Sequence, residues 1–467
     1  MIVKNTSFST LPYLNDTTSM VPVFVDCAQS EDVRNSQILD AISLLLPSFL
    51  EGERAGTSSA KENCSTRTYD STEQKEEAAD VEVFSKNDCS KNDEAGAIWR
   101  KKRATVTPLT GGLSNALFIV SRCGNGIIPQ DEKTDVPSVV LVRIHFDGQD
   151  DLESMFVDRT RDLITLSHLS RCGQGPKFYG RFENGRVEEF YPNVEPLCWN
   201  EMAREPNQSD IAKAMAKIHL QLVPTTNTPD AVIVPKQGEI FDKVDTWFKF
   251  LEQILSLPES RLEDARLQDL DPLGRKKKEW LWLKKELSGT ANRSALKNIT
   301  RSGSVDPAYL AKLFAREIVF CHMDCQSLNI LKSSDGSGIK LIDFEYAAYN
   351  PRAVDIANTF CEYCDMNNLR ADFVKQYPTA EQQDSFLRVN VCEVDPKLAR
   401  FLDLHGWEKF LKELREEVGR HSLISHLSWA VWAVIQSMKS PIDFDFVQYA
   451  VQRMEGYYIF RNKLWLF

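Results

Sequence analysis

Apolar positions change their period along this chain, and each change marks an element. Ile38, Ala41, Ile42, Leu45 and Leu46 recur at helical spacing and predict a helix over 36–52. Between 53 and 96 that periodicity gives way to Ser, Thr, Glu, Asp, Lys and Asn. Such a stretch buries too little apolar area to offset its ordering entropy, so it is expected to be a disordered acidic insertion, a solvated spacer sooner than a phosphorylated regulatory tail. Order is expected to resume at Ala97, with strands over 105–109, 116–120, 139–144, 176–182 and 186–192 and a helix over 152–169. Beyond Pro192 the helical period dominates. It runs through Ile211, Ala214, Met215, Ile218 and Leu222 with Asp210 as the expected cap, and over 241–287 with a break at Asp271-Pro272-Leu273-Gly274. It returns over 423–438, where Leu427, Val431 and Val434 lie opposite Trp429 and Trp432, and a helix apolar all round is a buried one. Two short apolar runs, 329–332 and 339–342, flank Ser333-Ser334-Asp335-Gly336-Ser337-Gly338, which is turn chemistry for a hairpin.

These elements predict an N-terminal extension with one helix (1–52), the insertion (53–96), a small lobe of antiparallel sheet (97–192) and a larger, mainly helical lobe (193–467). No apolar run reaches the length of a membrane span, and 1–26 lacks a secretory pattern, so a cytoplasmic protein without stable membrane insertion is expected. A formal net charge of -11 argues against nucleic acid as the main partner. The 11 cysteines are scattered and expected to be mostly reduced. A zinc site at Cys361-x-x-Cys364 with Cys321, Cys325 and His322 is disfavoured, because no second C-x-x-C exists. Arg275-Lys276-Lys277-Lys278 reads as a solvated helix face, and His219 as a packed core histidine.

The candidate chemistry lies around the hairpin. Cys321-His322-Met323-Asp324 is an H-x-D with Asn329 five residues after its Asp, and Asp343 follows the apolar run 339–342. The hairpin's open end brings three oxygen-bearing side chains together, at the spacing kinases use for phosphoryl transfer. Asn329 and Asp343 offer hard ligands to Mg²⁺, and Asp324 is left to orient a hydroxyl and take its proton. Gly111-Gly112-Leu113-Ser114-Asn115 sits between two predicted strands and resembles a phosphate-cradling turn. Arg143 is a lone cation in an apolar strand, a placement that demands counter-charges, expected from a nucleotide phosphate and from Asp158 or Asp162 on the following helix. Near the C-terminus, Trp429, Trp432, Phe444, Phe446, Tyr449, Tyr457 and Tyr458 form either ordinary core or, beside an acid, a pocket for a quaternary ammonium.

At these residues the chain resembles the choline/ethanolamine kinase family, closest to its choline kinase branch. Phe320-Cys321-His322-Met323-Asp324-Cys325-Gln326 to Asn329-Ile330-Leu331 is similar to that family's F-C-H-N-D-C-Q-x-x-N-I-L, and Leu341 to Asn350 and Asp355-Ile356-Ala357-Asn358 to Glu362 follow its later motifs. The resemblance covers 97–464 and implies a protein-kinase-like two-lobed fold, ATP with Mg²⁺, and phosphorylation of choline to phosphocholine. By position it implies Asp324 as base, Asn329 and Asp343 as metal ligands and Gln326 as support for the loop. It further implies Gly111, Gly112, Ser114, Asn115, Arg143 and Asp162 around the phosphates, and the backbone of Glu189 and Tyr191 at adenine. Trp429, Trp432, Phe444 and Tyr449 would enclose the headgroup with Glu362 as its acid, Asp355 would brace the loop, and a homodimer is expected.

The chain departs from the family at Met323 (usually Asn), at Asp162 (usually Glu), at Thr110 (often Arg) and at Asn367-Asn368, where a tyrosine is expected. Losing a ring weakens the cage most for a methylated amine, so ethanolamine stands as a second or even the main substrate. A non-catalytic ligand sensor or scaffold is the reading of another class, motivated by Met323 and the insertion. Aminoglycosides are disfavoured because polycations call for acidic rather than aromatic walls.

Overall fold

A computed structural model describes residues 20–46, 104–109, 115–122, 137–145, 156–224, 232–256, 264–289, 306–336, 338–440 and 442–465. The expected insertion at 53–96 and the candidates Gly111, Gly112 and Ser114 lie outside them. The chain divides into two compact units, one built from Thr17–Asp147 with Tyr179–Phe190 and one from Gly148–Phe178 with Tyr191–Phe467.

The first unit holds β1 (Met20–Val21), α1 (Glu31–Leu45), β2 (Ala104–Leu109), β3 (Asn115–Arg122) and β4 (Val139–His145), with β5 (Phe178–Phe182) and β6 (Gly185–Glu189). Its six strands run in the order β1-β5-β6-β4-β3-β2. β1 lies parallel to β5, while β2, β3, β4 and β6 pair antiparallel in turn. Alternation makes one face apolar: Val140, Val142 and Ile144 of β4 join Phe118, Val120 and Val187 beneath Ile38, Leu39 and Ile42 of α1. α1 starts five residues before the expected boundary, with Glu31 and Asp32 in its first turn, where negative charge suits the helix dipole. It stops at Leu45 because Leu46 precedes Pro47 and is driven out of helical geometry, to φ -132° and ψ 70°.

The second unit begins with α2 (Arg159–Arg171) and β7 (Val194–Pro196), followed by α3 (Asn207–His219), α4 (Glu239–Leu255), α5 (Ala265–Leu270), α6 (Lys277–Leu287) and α7 (Pro307–Arg316). Then come β8 (Ile318–Cys321), β9 (Ile330–Ser333), β10 (Ile339–Leu341), β11 (Ala348–Pro351), α8 (Arg352–Cys361), α9 (Ala380–Val394), α10 (Pro396–His405), α11 (Glu408–Lys439) and α12 (Phe446–Trp465). The expected hairpin is present as β9 against β10, with Ile330 opposite Leu341. β7, which the sequence pattern did not predict, adds a third strand to it through Val194 opposite Ser333. α2 starts at Arg159 because Asp158 caps it, accepting from the backbone of Thr160 and Arg161 at 3.0 and 3.1 Å. Asp210 does not cap α3, which begins at Asn207 and carries Asp210 in its first turn.

Strand ends position the site. β8 ends at Cys321 and β9 starts at Ile330, so residues 322–329 form a loop between them; residues 342–347 form a second loop between β10 and β11. Behind both run α8 and the 32-residue α11. A consequence for stability follows from the histidines buried here. His421 donates through Nδ1 to the Glu417 carbonyl at 2.7 Å, and burial pushes its pKa down to about 4 against the pull of Glu417. Its folded pKa lies below its unfolded one, so its contribution is intact above pH 6.5 and is lost as the pH falls toward 4. Burial shifts His219, His322 and His426 in the same direction. Unfolding free energies from urea titrations at pH 7 and pH 5 should therefore differ by at least about 2 kcal/mol, a difference reduced in His421→Gln. Equal free energies would show that these rings are already charged in the fold.

Candidate active site

The loop after β8 turns at Met323, whose φ of 68° is a left-handed conformation that a side chain of this kind rarely adopts. α8 holds it there. Asp355 accepts from the backbone N–H of His322 at 3.0 Å and of Met323 at 2.8 Å, and Asn358 donates to the Met323 carbonyl at 3.2 Å. His219 Nε2 completes the Asp355 carboxylate at 3.0 Å, so this histidine is buried, as expected, and is also bonded into the loop's support. The Met323 side chain packs in the apolar core.

This scaffold fixes Asp324. Asn329 Nδ2 donates to both its carbonyl and its Oδ2, each at 2.9 Å. His322 accepts the Asp324 N–H on Nδ1 at 3.3 Å and donates from Nε2 to the Ile342 carbonyl at 3.0 Å, so one neutral tautomer satisfies both contacts and joins the two loops. Ile342 N–H returns a bond to the Asn329 carbonyl at 3.0 Å, and Asp343 follows with a φ of 65°. Asp324, Asn329 and Asp343 are thus brought together. Burial, then the charges of Glu362, Asp343 and Glu345, push the Asp324 carboxyl well above the usual carboxylate range, and Arg453 opposes them. Gln326 shapes the same turn: its N–H donates to the Asp324 carbonyl at 2.9 Å, its carbonyl accepts from Asn329 at 3.0 Å, and its Oε1 accepts from Asn367 at 2.8 Å.

Asn358 links this loop to a row of rings. Its Oδ1 accepts from Trp429 Nε1 at 2.8 Å and from Ser425 Oγ at 2.7 Å, both on α11. Trp429 lies edge-on to Trp432 with centroids 5.3 Å apart; Trp432 meets Tyr449 at 6.3 Å, and Tyr449 meets Phe444 at 6.0 Å. Both indoles remain partly exposed. Trp429, Trp432, Tyr449 and Phe444 therefore form one contiguous set, whereas Tyr457 and Tyr458 meet each other at 5.3 Å and bond to Glu279 and Lys276. Phe446, also expected, joins it 5.7 Å from Trp432, and one further ring, Tyr346, lies 5.2 Å from Trp429. On another side of Tyr346 sits the Lys243 ammonium, 4.9 Å from its centroid and 5.8 Å from that of Trp247. Burial pushes its pKa down to about 8. Met323, Asn358, Trp429 and these groups line a space with room for a single water, about 20 Å³ for its centre.

Glu362, the expected substrate acid, is buried beside this set and pairs with Arg453. Arg453 also donates to the Tyr449 phenol oxygen, from Nη2 at 2.6 Å and Nε at 3.0 Å. Arg453 was missed in the sequence, although it stands four residues after Tyr449 and hence on the same helix face. Asn358 was visible only as part of a motif, and Lys243 gave no signal beyond a cation in an apolar stripe.

In the first unit, Arg143 pairs with Glu188 of the neighbouring strand at 3.4 Å, and Glu188 also takes Arg186 at 2.9 Å. That carboxylate lies on β6, a strand acid that the sequence pattern did not single out. Asn115 is buried, its Oδ1 2.7 Å from His145 Nδ1, and Glu189 ends β6 opposite Val140. In the second unit, Asp162 is buried 4.0 Å from Arg159, and Tyr191 carries the Lys340 ammonium 4.6 Å from its centroid. The Cys361-x-x-Cys364 zinc reading has no support, since the candidate metal-ligand cluster among the described residues is His219, Cys321 and Asp355. Its aspartate is already bonded to three N–H groups.

A family model described as choline/ethanolamine kinase matches residues 106–458. A choline/ethanolamine kinase of Mus musculus is 31% identical over 386 residues, 79% of this chain and 84% of that one. A probable choline kinase 2 of Arabidopsis thaliana is 30% identical over 368 residues, 78% of this chain and 87% of that one. Among solved structures, a choline kinase from Cryptosporidium parvum superposes with a TM-score of 0.57 at 23% identity, over 78% of this chain and 92% of that one. An ethanolamine kinase from Plasmodium vivax gives 0.55 at 22%, over 78% and 85%. The fold is therefore protein-kinase-like. Since the matched span holds the Asp324 loop, the aromatic helix and Arg453 alike, this chain is a kinase that belongs to the choline/ethanolamine kinase family.

Proposed function

We propose that the protein transfers the γ-phosphoryl group of ATP to the hydroxyl of choline, with ethanolamine as a second substrate. One observation carries this reading: a single amide, Asn358, ties the loop of a half-buried carboxylate to a row of aromatic rings, so that a proton acceptor and a cation-binding wall share one scaffold. The raised pKa of Asp324 makes it a better proton acceptor than an exposed carboxylate. As the choline oxygen bonds to the γ-phosphorus, its proton passes to Asp324 and the bond to the ADP oxygen breaks. Asn329 directs Nδ2 to Asp324, which leaves its Oδ1 for another partner, and with the Asp343 carboxylate it makes the oxygen set that Mg²⁺ takes. When bound, Mg²⁺ supplies charge neutralisation at the phosphates. In the first unit, Arg143 is the proposed phosphate contact.

The carboxylates of Asp343 and Glu345 near Asp324 suit a cationic substrate, and the Lys243 ammonium lies 4.9 Å from the centroid of Tyr346, a ring of this set. Met323 does not favour the scaffold reading, because its backbone is fully held and Asp324, Asn329 and Asp343 are all in place. Among the described residues no helix is long and apolar enough to cross a membrane, and the described cysteines are free thiols, which suits the cytoplasm. A homodimer belongs to the same reading.

The test is an ATP- and Mg²⁺-dependent assay of the purified protein on choline, ethanolamine and an aminoglycoside, with products identified by phosphorus NMR. Phosphocholine should form. In Trp432→Ala the KM for choline should rise about 3- to 30-fold, the loss of one good cation–π contact. Absence of phosphocholine, or product from the aminoglycoside alone, would end this reading.

A further inference from the structure

We propose that Arg453 sets which ammonium the aromatic site accepts: by occupying acceptor oxygens of Glu362 and Tyr449 it biases the site toward a quaternary head over a primary one. The inference rests on the function proposed above and assigns that site a positioning residue for its specificity. Arg453 is 1% exposed, in the second turn of α12. Its two bonds to the Tyr449 phenol oxygen take both lone pairs of that oxygen, and its Nη2 also meets Glu362 Oε1. The negative charge of Glu362 is therefore spent inside the protein. Behind them, His426 and Cys361 pack as neutral groups, since burial holds the ring's pKa down and the thiol's up.

The two candidate substrates respond differently to such a wall. A primary ammonium carries three N–H donors that lose water on entry and must find acceptors, and a donor left unpaired is penalised. A trimethylammonium carries none and is satisfied by ring faces, which Trp429, Trp432 and Phe444 supply. The guanidinium thus withholds hydrogen-bond acceptors from ethanolamine; it also lies over the Tyr449 ring, 5.0 Å from its centroid, and leaves Trp429, Trp432 and Phe444 to choline.

The experiment compares kcat/KM for choline and ethanolamine in the parent, Arg453→Gln, Arg453→Lys and Glu362→Gln. Arg453→Gln frees the carboxylate, and the choline-to-ethanolamine ratio should fall about tenfold, mainly through a lower KM for ethanolamine. Arg453→Lys, which keeps a cation on Glu362, should recover most of the parental ratio. Glu362→Gln should weaken both substrates by similar factors, because the acid it removes serves the arginine. Equal losses for both substrates in Arg453→Gln would overturn the proposal. If that variant does not fold, an ethanolamine-selective loss in Glu362→Gln overturns it instead, since the acid would then face the substrate directly. A parent that phosphorylates neither amino alcohol would sink the proposed function, whereas an active parent with an unmoved ratio sinks only the role of Arg453.

Discussion

Replacing Asp324 by Asn should lower kcat for choline by about a thousandfold or more, within the range measured for removal of a positioned general base. The KM should change little, because the aromatic set is bonded to Asn358 and not to Asp324. The loop should survive, since an Asn at this position can present its carbonyl oxygen to Asn329 Nδ2, as the carboxylate does. Steady-state kinetics with a thermal melt of the same sample separate the cases. A variant that keeps more than about a tenth of parental turnover would remove Asp324 from the proton path.

Asp355→Asn should be nearly as damaging, by a different route. Asp355 Oδ2 accepts from His322 N and His219 Nε2, and Oδ1 accepts from Met323 N. An amide keeps one oxygen and turns the other into a donor, so an NH₂ group must face an N–H in a site closed to water. Burying unpaired donors of this kind costs about 1–3 kcal/mol each, and the charge that strengthened the three bonds is lost as well. Met323 is held at φ 68° by these contacts and should relax. The variant should melt earlier than the parent, and its kcat should fall at least about a hundredfold because Asp324 moves with the loop. A D355N enzyme with parental kcat and a lowered melting temperature would show that Asp355 supports the fold and not the geometry of the base.

Much of this was legible beforehand. The hairpin was visible because turn residues separate two apolar runs, and its register then placed Asn329 and Asp343 at the open end beside Asp324. The rings at 429, 432, 444 and 449 were visible because an aromatic residue at helical spacing needs a neighbour to cover it. Other features depended on contacts between residues far apart in sequence, which periodicity does not encode. Arg453 meets Glu362 across 91 positions and Trp429 meets Asn358 across 71. β7 has three residues and gains its identity only from β9. Glu188 as a counter-charge for Arg143 was not visible, because only sheet register places it on the strand beside β4. Helix starts were displaced wherever a cap or an acidic first turn outweighed the apolar stripe, as at Asp158 and Glu31.

The amide of Asn358 has one further implication. Its nitrogen answers to the peptide before the proposed base, and its oxygen answers to the indole of Trp429, a proposed wall of the substrate site. Choosiness and speed therefore share a fulcrum. Sequence drift that retunes what this enzyme selects by tilting Trp429 must also tug on the turn that sets its pace, so descendants altering diet without losing vigour are expected to do so at the outer rings, Phe444 and Tyr449, which hang free of that joint.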